Sequence, residues 1–206
     1  KLLPKTNCKE CGFATCLAMA MALAQKKVSL DKCPYVTATA REALESASQP
    51  PIRLVSIGVG DAKFEVGNET VMFRHEQKFY NQTAIGFLIE DLMSEEEISR
   101  TVAKINDLRF ERVGQMIGVN LICVKNSSGY RNKFMMALSA VEAASKVAIA
   151  LYGSDSDTMA EAVKICKDKR PLLICQEIAS LGNFINLARD NKLPLAVTCS
   201  SIDEVV

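Results

Sequence analysis

The chain has 206 residues, of which 49% are hydrophobic and 24% charged, and its formal net charge is +1. This length allows one or two domains with a substantial core, and the near-neutral charge excludes a strongly electrostatic partner, so we expect no nucleic acid and no membrane. The longest near-apolar run, 16–24, is far shorter than the roughly 20 residues that cross a bilayer. Eight cysteines without an export signal indicate a reducing compartment, and we expect a cytoplasmic protein.

The first 50 residues predict a small α-helical domain. Residues 15–26 are rich in alanine, leucine and methionine and predict one short helix. Residues 37–46 predict a second, with Thr37 or Thr39 as its N-cap. The proline-containing stretch 46–51 then predicts a linker.

Four cysteines in the spacing C-x2-C-x4-C-x16-C dominate this domain. They are Cys8, Cys11, Cys16 and Cys33. Thiolates select zinc, copper(I) or iron–sulfur clusters. Zinc sites usually take their ligands in pairs, whereas three close cysteines and one distant cysteine before a proline are typical of a cubane cluster. We therefore favour iron–sulfur over zinc, and both over disulfides, because no secretory signal is present.

A cluster held by four cysteines has no open iron site, so it would transfer electrons and bind no substrate. We expect apolar neighbours to keep water away and lower the potential, because extra negative charge is costly in a low dielectric. The candidates are Phe13, Leu17, Met19 and Tyr35.

Residues 51–82 predict a linker and β-hairpin region. Residues 52–58 alternate as a strand, and 63–66 and 70–73 flank Gly67-Asn68, which is a hairpin signal. The only histidine, His75, lies in FRHE. No nucleophile motif accompanies it, so we favour a structural role, in which FRHE fixes the hairpin.

From residue 83 strands and helices alternate. The predicted strands are 83–91, 114–126, 147–153, 170–177 and 193–201, with helices at 94–108, 131–145, 156–169 and 180–191 and a further helix starting at 202. Ser94 and Glu97 form a capping-box pattern. Near-continuously apolar strands between helices predict an α/β fold with a parallel sheet.

A doubly wound sheet and a (β/α)₈ barrel compete for this region. No G-x-G-x-x-G follows any strand, and the strands are evenly spaced. We therefore predict the first part of a TIM barrel over 83–206, truncated after about four and a half of its eight units. The sequence would then be a piece of something longer.

Polar residues gather near the predicted strand ends, where barrels carry their functional groups. They are Glu90, Asp91, Asn120, Lys125, Asn126, Gln176, Glu177, Thr198 and Ser200. Each by itself is better explained as a cap or loop residue. The cysteines Cys123, Cys166, Cys175 and Cys199 occupy apolar contexts, and we interpret them as small buried hydrophobes.

Longer stretches closely resemble one known family. LLPKTNCKECGFATCLAMAMALA, DKCPY, PPIRLVSIG, ETVMFRHEQKFYN and INDLRFERVGQ occur in order. They are similar to the large subunit of the corrinoid/iron–sulfur protein, also called the gamma subunit of the acetyl-CoA decarbonylase/synthase complex. The resemblance runs through essentially all 206 residues.

The resemblance implies a [4Fe–4S] domain, a TIM barrel and a C-terminal cobalamin domain, with Cys8, Cys11, Cys16 and Cys33 as cluster ligands. Members pair with a small subunit. They accept a methyl group on cobalt(I) from a methylated pterin, delivered by a methyltransferase, and pass it to acetyl-CoA synthase. The cluster reactivates the oxidised corrinoid. No cobalamin domain falls within these residues, so we assign no cobalamin ligand and no catalytic residue.

Two other functions stay open. An iron–sulfur electron-transfer module attached to an unrelated α/β domain would lack corrinoid in the full-length protein. A zinc-stabilised interaction domain would contain zinc and no sulfide. The sequence does not distinguish these from a methyl carrier.

Overall fold

The computed structural model describes residues 2–25, 27–48, 52–69, 71, 75–76, 79–201 and 204. The chain divides into two compact units. One comprises Lys1–Arg53 with Glu69–Gln77, and the other Leu54–Asn68 with Lys78–Val206.

In the residues that the structure describes, the first unit contains two α-helices and, between them, a short 3-10 turn. Helix α1 spans Cys16–Ala24, the turn Leu30–Lys32, and helix α2 Ala38–Ser48. The Thr37 hydroxyl accepts the Ala40 N–H at 3.3 Å, so the predicted cap of the second helix is confirmed. Few described side chains of this unit are buried; they are Met19, Leu30, Cys33, Ala40 and Glu69.

The second unit begins with a two-stranded antiparallel ribbon. Strand β1 (Val55–Ile57) pairs with β2 (Phe64–Val66), with Ser56 opposite Glu65. The sequence predicts that residues 63–66 pair with 70–73. Residues 70, 72 and 73 lie outside the described residues, as does the start of the predicted helix at 202.

The remaining elements of this unit follow in chain order. They are β3 (Gly86–Glu90), α3 (Glu95–Asp107), β4 (Arg109–Arg112), β5 (Gln115–Gly118), β6 (Leu121–Lys125), α4 (Arg131–Ala144), β7 (Ala148–Gly153), α5 (Ser156–Cys166), β8 (Leu172–Cys175), α6 (Leu181–Asn191) and β9 (Leu195–Val197). The Ser94–Glu97 capping box is present at the start of α3.

Five of these strands form one parallel sheet in the order β3-β6-β7-β8-β9, which is their order along the chain. Because parallel crossovers are right-handed, an order without reversal places the intervening helices on one face. Each helix packs on the next, α3 on α4, α4 on α5 and α5 on α6. The α/β fold with a parallel sheet is confirmed.

The core lies between this sheet and its helices. Fully buried side chains on the helix-facing side include Ile122, Leu151 and Leu173 from the strands and Phe134 and Phe184 from the helices. The other face of the sheet is less covered: Leu88 is 52% exposed, and Cys123 is half-buried.

One predicted strand is wrong in its extent. Residues 114–126 form two strands, since 115–118 pair with 109–112 and only 121–125 join the sheet. Val113 and Gly114 both have positive φ (50° and 72°), the conformation of a tight hairpin turn. Asn120 then donates its N–H to the Ile85 carbonyl, and its side-chain oxygen accepts the Ile85 N–H. These two bonds join the starts of strands β3 and β6.

The turn after β1 requires a glycine at position 58, where φ is +78°. A Cβ there would lie 2.7 Å from the Ala62 carbonyl oxygen and 3.1 Å from the Ala148 Cβ. Gly58 also donates its N–H to the Arg170 carbonyl at 3.1 Å, which holds this ribbon at the start of the sheet.

We expect Gly58→Ala to lower the free energy of unfolding by about 2 kcal/mol, because it combines a left-handed alanine with a backbone clash. Calorimetric melting of the chain checks this. Gly182→Ala is the matched control, since nothing lies within 4 Å of its added Cβ and the site is helical. It should be neutral or stabilising by about 0.5 kcal/mol. Equal losses in both variants would contradict the argument.

Candidate iron–sulfur site

The four predicted ligand cysteines all lie in the first unit: Cys8 and Cys11 precede helix α1, Cys16 is its first residue, and Cys33 follows the 3-10 turn. Cys8 is exposed, Cys11 and Cys16 are half-buried, and Cys33 is only 4% exposed. All four are free thiols. The thiols are therefore unpaired donors on one short stretch of chain.

A first hydrogen bond ties the loop of Cys8 and Cys11 to the helix. The Asn7 side-chain oxygen accepts the Cys16 N–H at 2.8 Å. Cys16 is also the first residue of α1, capped by Thr15. The positive end of a helix dipole stabilises a thiolate there.

A second hydrogen bond ties the same loop to the segment of the distant cysteine. The Tyr35 hydroxyl donates to a Glu10 carboxylate oxygen at 2.8 Å. This bond is the main reason that the pKa of Tyr35 lies above its usual range. It joins the segment that follows Cys33 to the loop of Cys8 and Cys11.

The backbone of the loop is also unusual. Lys5, Asn7, Lys9 and Gly12 all have positive φ, between 50° and 83°. Left-handed residues in such loops turn successive N–H groups toward one side, as in anion and iron–sulfur sites. Gly12 also donates its N–H to the Lys9 carbonyl at 2.9 Å, which closes a turn before the third cysteine.

These residues fit an iron–sulfur cubane by donor type: four unpaired thiols, a helix N-terminus and a loop of left-handed residues. Among the described residues, no three cysteine, histidine or acidic groups are placed to hold one metal ion. A cubane needs more widely spaced sulfurs, because each cysteine binds a different iron atom.

The expected shielding is only partly present. Met19 is 1% exposed and Phe13 is half-buried. Leu17 is 71% exposed and Tyr35 50% exposed. The shielding role of Leu17 and Tyr35 stays a prediction.

The other four cysteines are not all buried, as we had expected them to be. Cys166 and Cys175 are buried, and Cys123 is half-buried on its strand. Burial raises the pKa of Cys123 to about 11 and that of Cys166 to about 12, and it also raises the pKa of Cys175. Cys199 follows the last strand and is exposed, so its interpretation as buried was wrong.

We expect iodoacetamide at pH 8 to alkylate Cys199 at least about a hundredfold faster than Cys166 or Cys175, because the thiolate is the nucleophile and burial suppresses it. Peptide mass spectrometry over a time course measures each site separately. The half-buried Cys123 should fall between these extremes. Equal rates at Cys175 and Cys199 would mean that the sheet edge opens readily.

Polar residues at the carboxyl ends of β3 and β6 form a hydrogen-bonded group. Asp91 is 4% exposed and accepts the N–H groups of Ser127 and Ser128 at 2.9 Å. Glu90 accepts the Ser127 hydroxyl at 3.0 Å and lies 3.7 Å from Lys125. Asp91 and Glu90 therefore stabilise the loop that follows strand β6, in agreement with the expectation that such residues are caps or loop residues.

Asn120 and His75 lie on other segments of the chain. The grouping of Asn120 with the carboxyl ends of the strands was wrong. Asn120 directly precedes strand β6 and therefore lies at the amino end of the sheet strands. His75 is exposed in a turn. Residues 72–74 lie outside the described residues, so the predicted role of FRHE stays a prediction.

Within the part of the chain that the structure describes, no helix has the length and apolar character needed to span a membrane.

Two family models match the chain. The model described as CO dehydrogenase/acetyl-CoA synthase delta subunit matches residues 54–205. A second, for a proposed Fe–S cluster, matches residues 3–35. This range contains all four cysteines and the two hydrogen bonds that Asn7 and Glu10 accept from Cys16 and Tyr35.

Curated relatives match over nearly the whole chain. The corrinoid/iron–sulfur protein large subunit of Moorella thermoacetica is 42% identical over 205 residues, which are 100% of this chain and 46% of that protein. The acetyl-CoA decarbonylase/synthase complex subunit gamma of Methanocaldococcus jannaschii is 34% identical over 206 residues, 98% of this chain and 42% of that protein. The corresponding subunit of Methanothermobacter thermautotrophicus is 33% identical over 199 residues, 96% of this chain and 43% of that protein.

The chain thus spans less than half the length of these relatives. The predicted resemblance to the corrinoid/iron–sulfur protein large subunit and to the gamma subunit is confirmed, and the chain belongs to the CO dehydrogenase/acetyl-CoA synthase delta subunit family.

Proposed function

We propose that this chain is the electron-transfer part of a corrinoid/iron–sulfur protein of the acetyl-CoA pathway. Cys8, Cys11, Cys16 and Cys33 hold a [4Fe–4S] cluster in a domain of residues 1–50. The observation that carries this is the pair of hydrogen bonds, Asn7 to Cys16 and Glu10 to Tyr35, which clasp both cysteine loops around one helix start. When bound, the cluster supplies single electrons that return an oxidised corrinoid to its active state.

This chain's own residues would position and insulate the cluster. The buried Cys33 would anchor it to the small core, while the half-buried Cys11 and Cys16 lie nearer the surface. The helix N-terminus at Cys16 and the left-handed loop offset the negative charge of the thiolates. No residue of this chain acts on a substrate in this proposal.

Residues 83–206 would form the first part of a (β/α)₈ barrel, following a linker and hairpin region at 51–82. Sequential strand order supports this, because a doubly wound sheet reverses its order at a switch point whereas a barrel does not. The helix-free face of the sheet would then line the barrel interior.

The methyl-carrying function belongs to the whole protein. The relatives' names mention corrinoid and the decarbonylase/synthase complex, and we infer the same assignment here. Cobalamin would be bound outside these 206 residues. The partners would be the small subunit of the same protein, a pterin methyltransferase and acetyl-CoA synthase. Eight free cysteines support a reducing, cytoplasmic location.

Metal analysis tests the proposal. The chain is reconstituted anaerobically, and iron, acid-labile sulfide and zinc are measured per chain, with an EPR spectrum after reduction. We expect about four iron and about four sulfide per chain. Zinc without sulfide would support the interaction-domain alternative. Corrinoid content of the full-length protein separates a methyl carrier from an unrelated electron-transfer module.

A further inference from the structure

Helix α1 leaves an apolar face uncovered directly beside the proposed cluster. Its nine residues, CLAMAMALA, include no charged and no amide side chain. Leu17 is 71% and Met21 59% exposed, and Ala24 is exposed as well. These three residues, spaced four and three apart, lie on one side of the helix and are called the α1 face here.

Such a face is unusual for a helix of this composition. A helix that is apolar on all sides is normally buried on all sides. Large exposed apolar residues that adjoin one another mark an interaction surface more often than isolated ones do. The opposite side of α1 already packs inward through Met19, which is 1% exposed. The α1 face therefore has the character of a surface that another molecule covers.

The charge around this face is positive. Residues 1–35 contain six lysines and two carboxylates, a net charge of +4 (six minus two), although the whole chain carries only +1. An oxidised [4Fe–4S] core with its four thiolates would add about −2, and the segment would keep a positive charge. Both carboxylates are engaged: Glu10 accepts from Tyr35, and Asp31 pairs with Arg41. Four of the six lysines are among the described residues, and none of these four forms an ion pair there; they are Lys5, Lys9, Lys27 and Lys32.

These lysines lie near both ends of the α1 face. Lys9 is in the loop that Asn7 holds against the first residue of α1 at 2.8 Å. Lys27 donates its N–H to the Ala22 carbonyl at 2.9 Å, just beyond the last turn of the helix. The exposed apolar strip thus runs between two cationic ends, which is the apolar centre and charged rim of an electrostatically steered interface.

The position of the face fits an electron donor. The α1 face begins one residue after Cys16 and extends about 10 Å along the helix, at 1.5 Å per residue. Electron-transfer rates fall steeply with distance, so a protein docked here would bring its own redox centre close to the cluster. Cationic ends require a partner with an acidic rim around an apolar patch.

We propose that the α1 face, with Lys9 and Lys27 at its ends, is the docking surface for a small acidic electron-donor protein that reduces the cluster. This rests on the proposed function, because without a cluster at Cys16 there is nothing to reduce. The step is one electron from the reduced centre of the donor to the cluster, with no bond formed or broken.

The test uses full-length, cluster-loaded protein and a purified acidic ferredoxin as the probe. The equilibrium Kd for the ferredoxin is measured by calorimetry at several salt concentrations, and iron and sulfide are assayed in every sample. We expect Leu17→Gln/Met21→Gln to weaken binding by about tenfold or more, because truncating central apolar contacts costs most. We expect Lys9→Gln/Lys27→Gln to weaken binding at low salt and to flatten its salt dependence.

Matched controls are available in the second unit. Met136→Gln changes a methionine of helix α4 that is 65% exposed, and Lys164→Gln changes an exposed lysine of α5. Both should leave the Kd unchanged. Reduction of the cluster by dithionite, which needs no protein docking, should be equally fast in all variants, whereas reduction by ferredoxin should slow with the Kd.

The outcomes are distinguishable. If iron and sulfide are absent, the proposed function fails, and the docking proposal fails with it. If the cluster is present and Leu17→Gln/Met21→Gln binds ferredoxin as tightly as the parent, only the docking proposal is overturned. It is likewise overturned if this variant changes the oligomeric state or lowers the melting temperature of the free protein, since the α1 face would then be covered by the protein itself or by a second copy.

Discussion

Replacing Cys33 with alanine should abolish the cluster: iron and acid-labile sulfide should fall from about four of each per chain to near zero, and the EPR signal of the reduced sample should disappear. Cys33 is the only proposed ligand outside the 8–16 loop and the most buried of the four, at 4% exposed. Without it, one iron of the proposed cluster would lack a protein ligand, and the three cysteines of residues 8–16 would hold the cluster too weakly to retain it.

Cys199→Ala is the matched control, because this cysteine is exposed and lies after the last strand of the sheet. It should retain full iron and sulfide. Far-UV circular dichroism should show that both variants keep their helices, so that loss of metal is not loss of fold. Four iron per chain together with an unchanged EPR spectrum in Cys33→Ala would show that this residue is not a ligand, and would remove the fourth cysteine from the site.

The α/β region was predictable because its signals are local. Ser94 and Glu97 are three residues apart at a helix start, and the capping box forms as the pattern predicts. The five parallel strands follow from apolar runs between amphipathic helices. The prediction of one strand over 114–126 was wrong for a physical reason. The residues on both sides of the Val113-Gly114 turn fit a strand, and only the pairing of 115–118 with 109–112 shows that they form a hairpin that is distinct from the strand at 121–125.

The spacing of the cysteines is enough to propose which thiols belong together, and that assignment stays a prediction. The two hydrogen bonds of the loops could not be predicted, because they depend on contacts between distant residues. Tyr35 reaches Glu10 across 25 positions, and Asn7 reaches Cys16 across nine. The exposure of Leu17 was likewise hidden, because a helix with no polar residue has no periodicity from which its outer face can be inferred.

Asp91→Ala should lower the free energy of unfolding by about 3 kcal/mol, the largest effect that we expect at the carboxyl edge of the sheet. The carboxylate is 4% exposed and accepts three hydrogen bonds: two from the N–H groups of Ser127 and Ser128 at 2.9 Å, and one from the Ser128 hydroxyl at 2.6 Å. Losing a shared buried acceptor leaves several donors unsatisfied, at about 1–3 kcal/mol each before water or relaxation compensates.

The neighbouring carboxylate provides a control within the same loop. Glu90 also accepts from Ser127, at 3.0 Å, but its side chain is 43% exposed and its ion pair with Lys125 is loose at 3.7 Å. Since exposed pairs contribute about 0–1 kcal/mol, Glu90→Gln should change stability by less than about 0.5 kcal/mol. Asp91→Asn should be intermediate, because one amide oxygen can still accept both backbone N–H groups.

Urea unfolding followed by circular dichroism measures these differences, since the chain has no tryptophan to report by fluorescence. The expected order of stability is Glu90→Gln, then Asp91→Asn, then Asp91→Ala. Similar losses at both positions would mean that net charge at this edge matters rather than buried hydrogen bonding. The predicted order instead follows from burial. Glu90 and Asp91 both accept hydrogen bonds from Ser127, but water can take the place of the exposed Glu90 carboxylate and cannot reach the position of the buried Asp91 carboxylate.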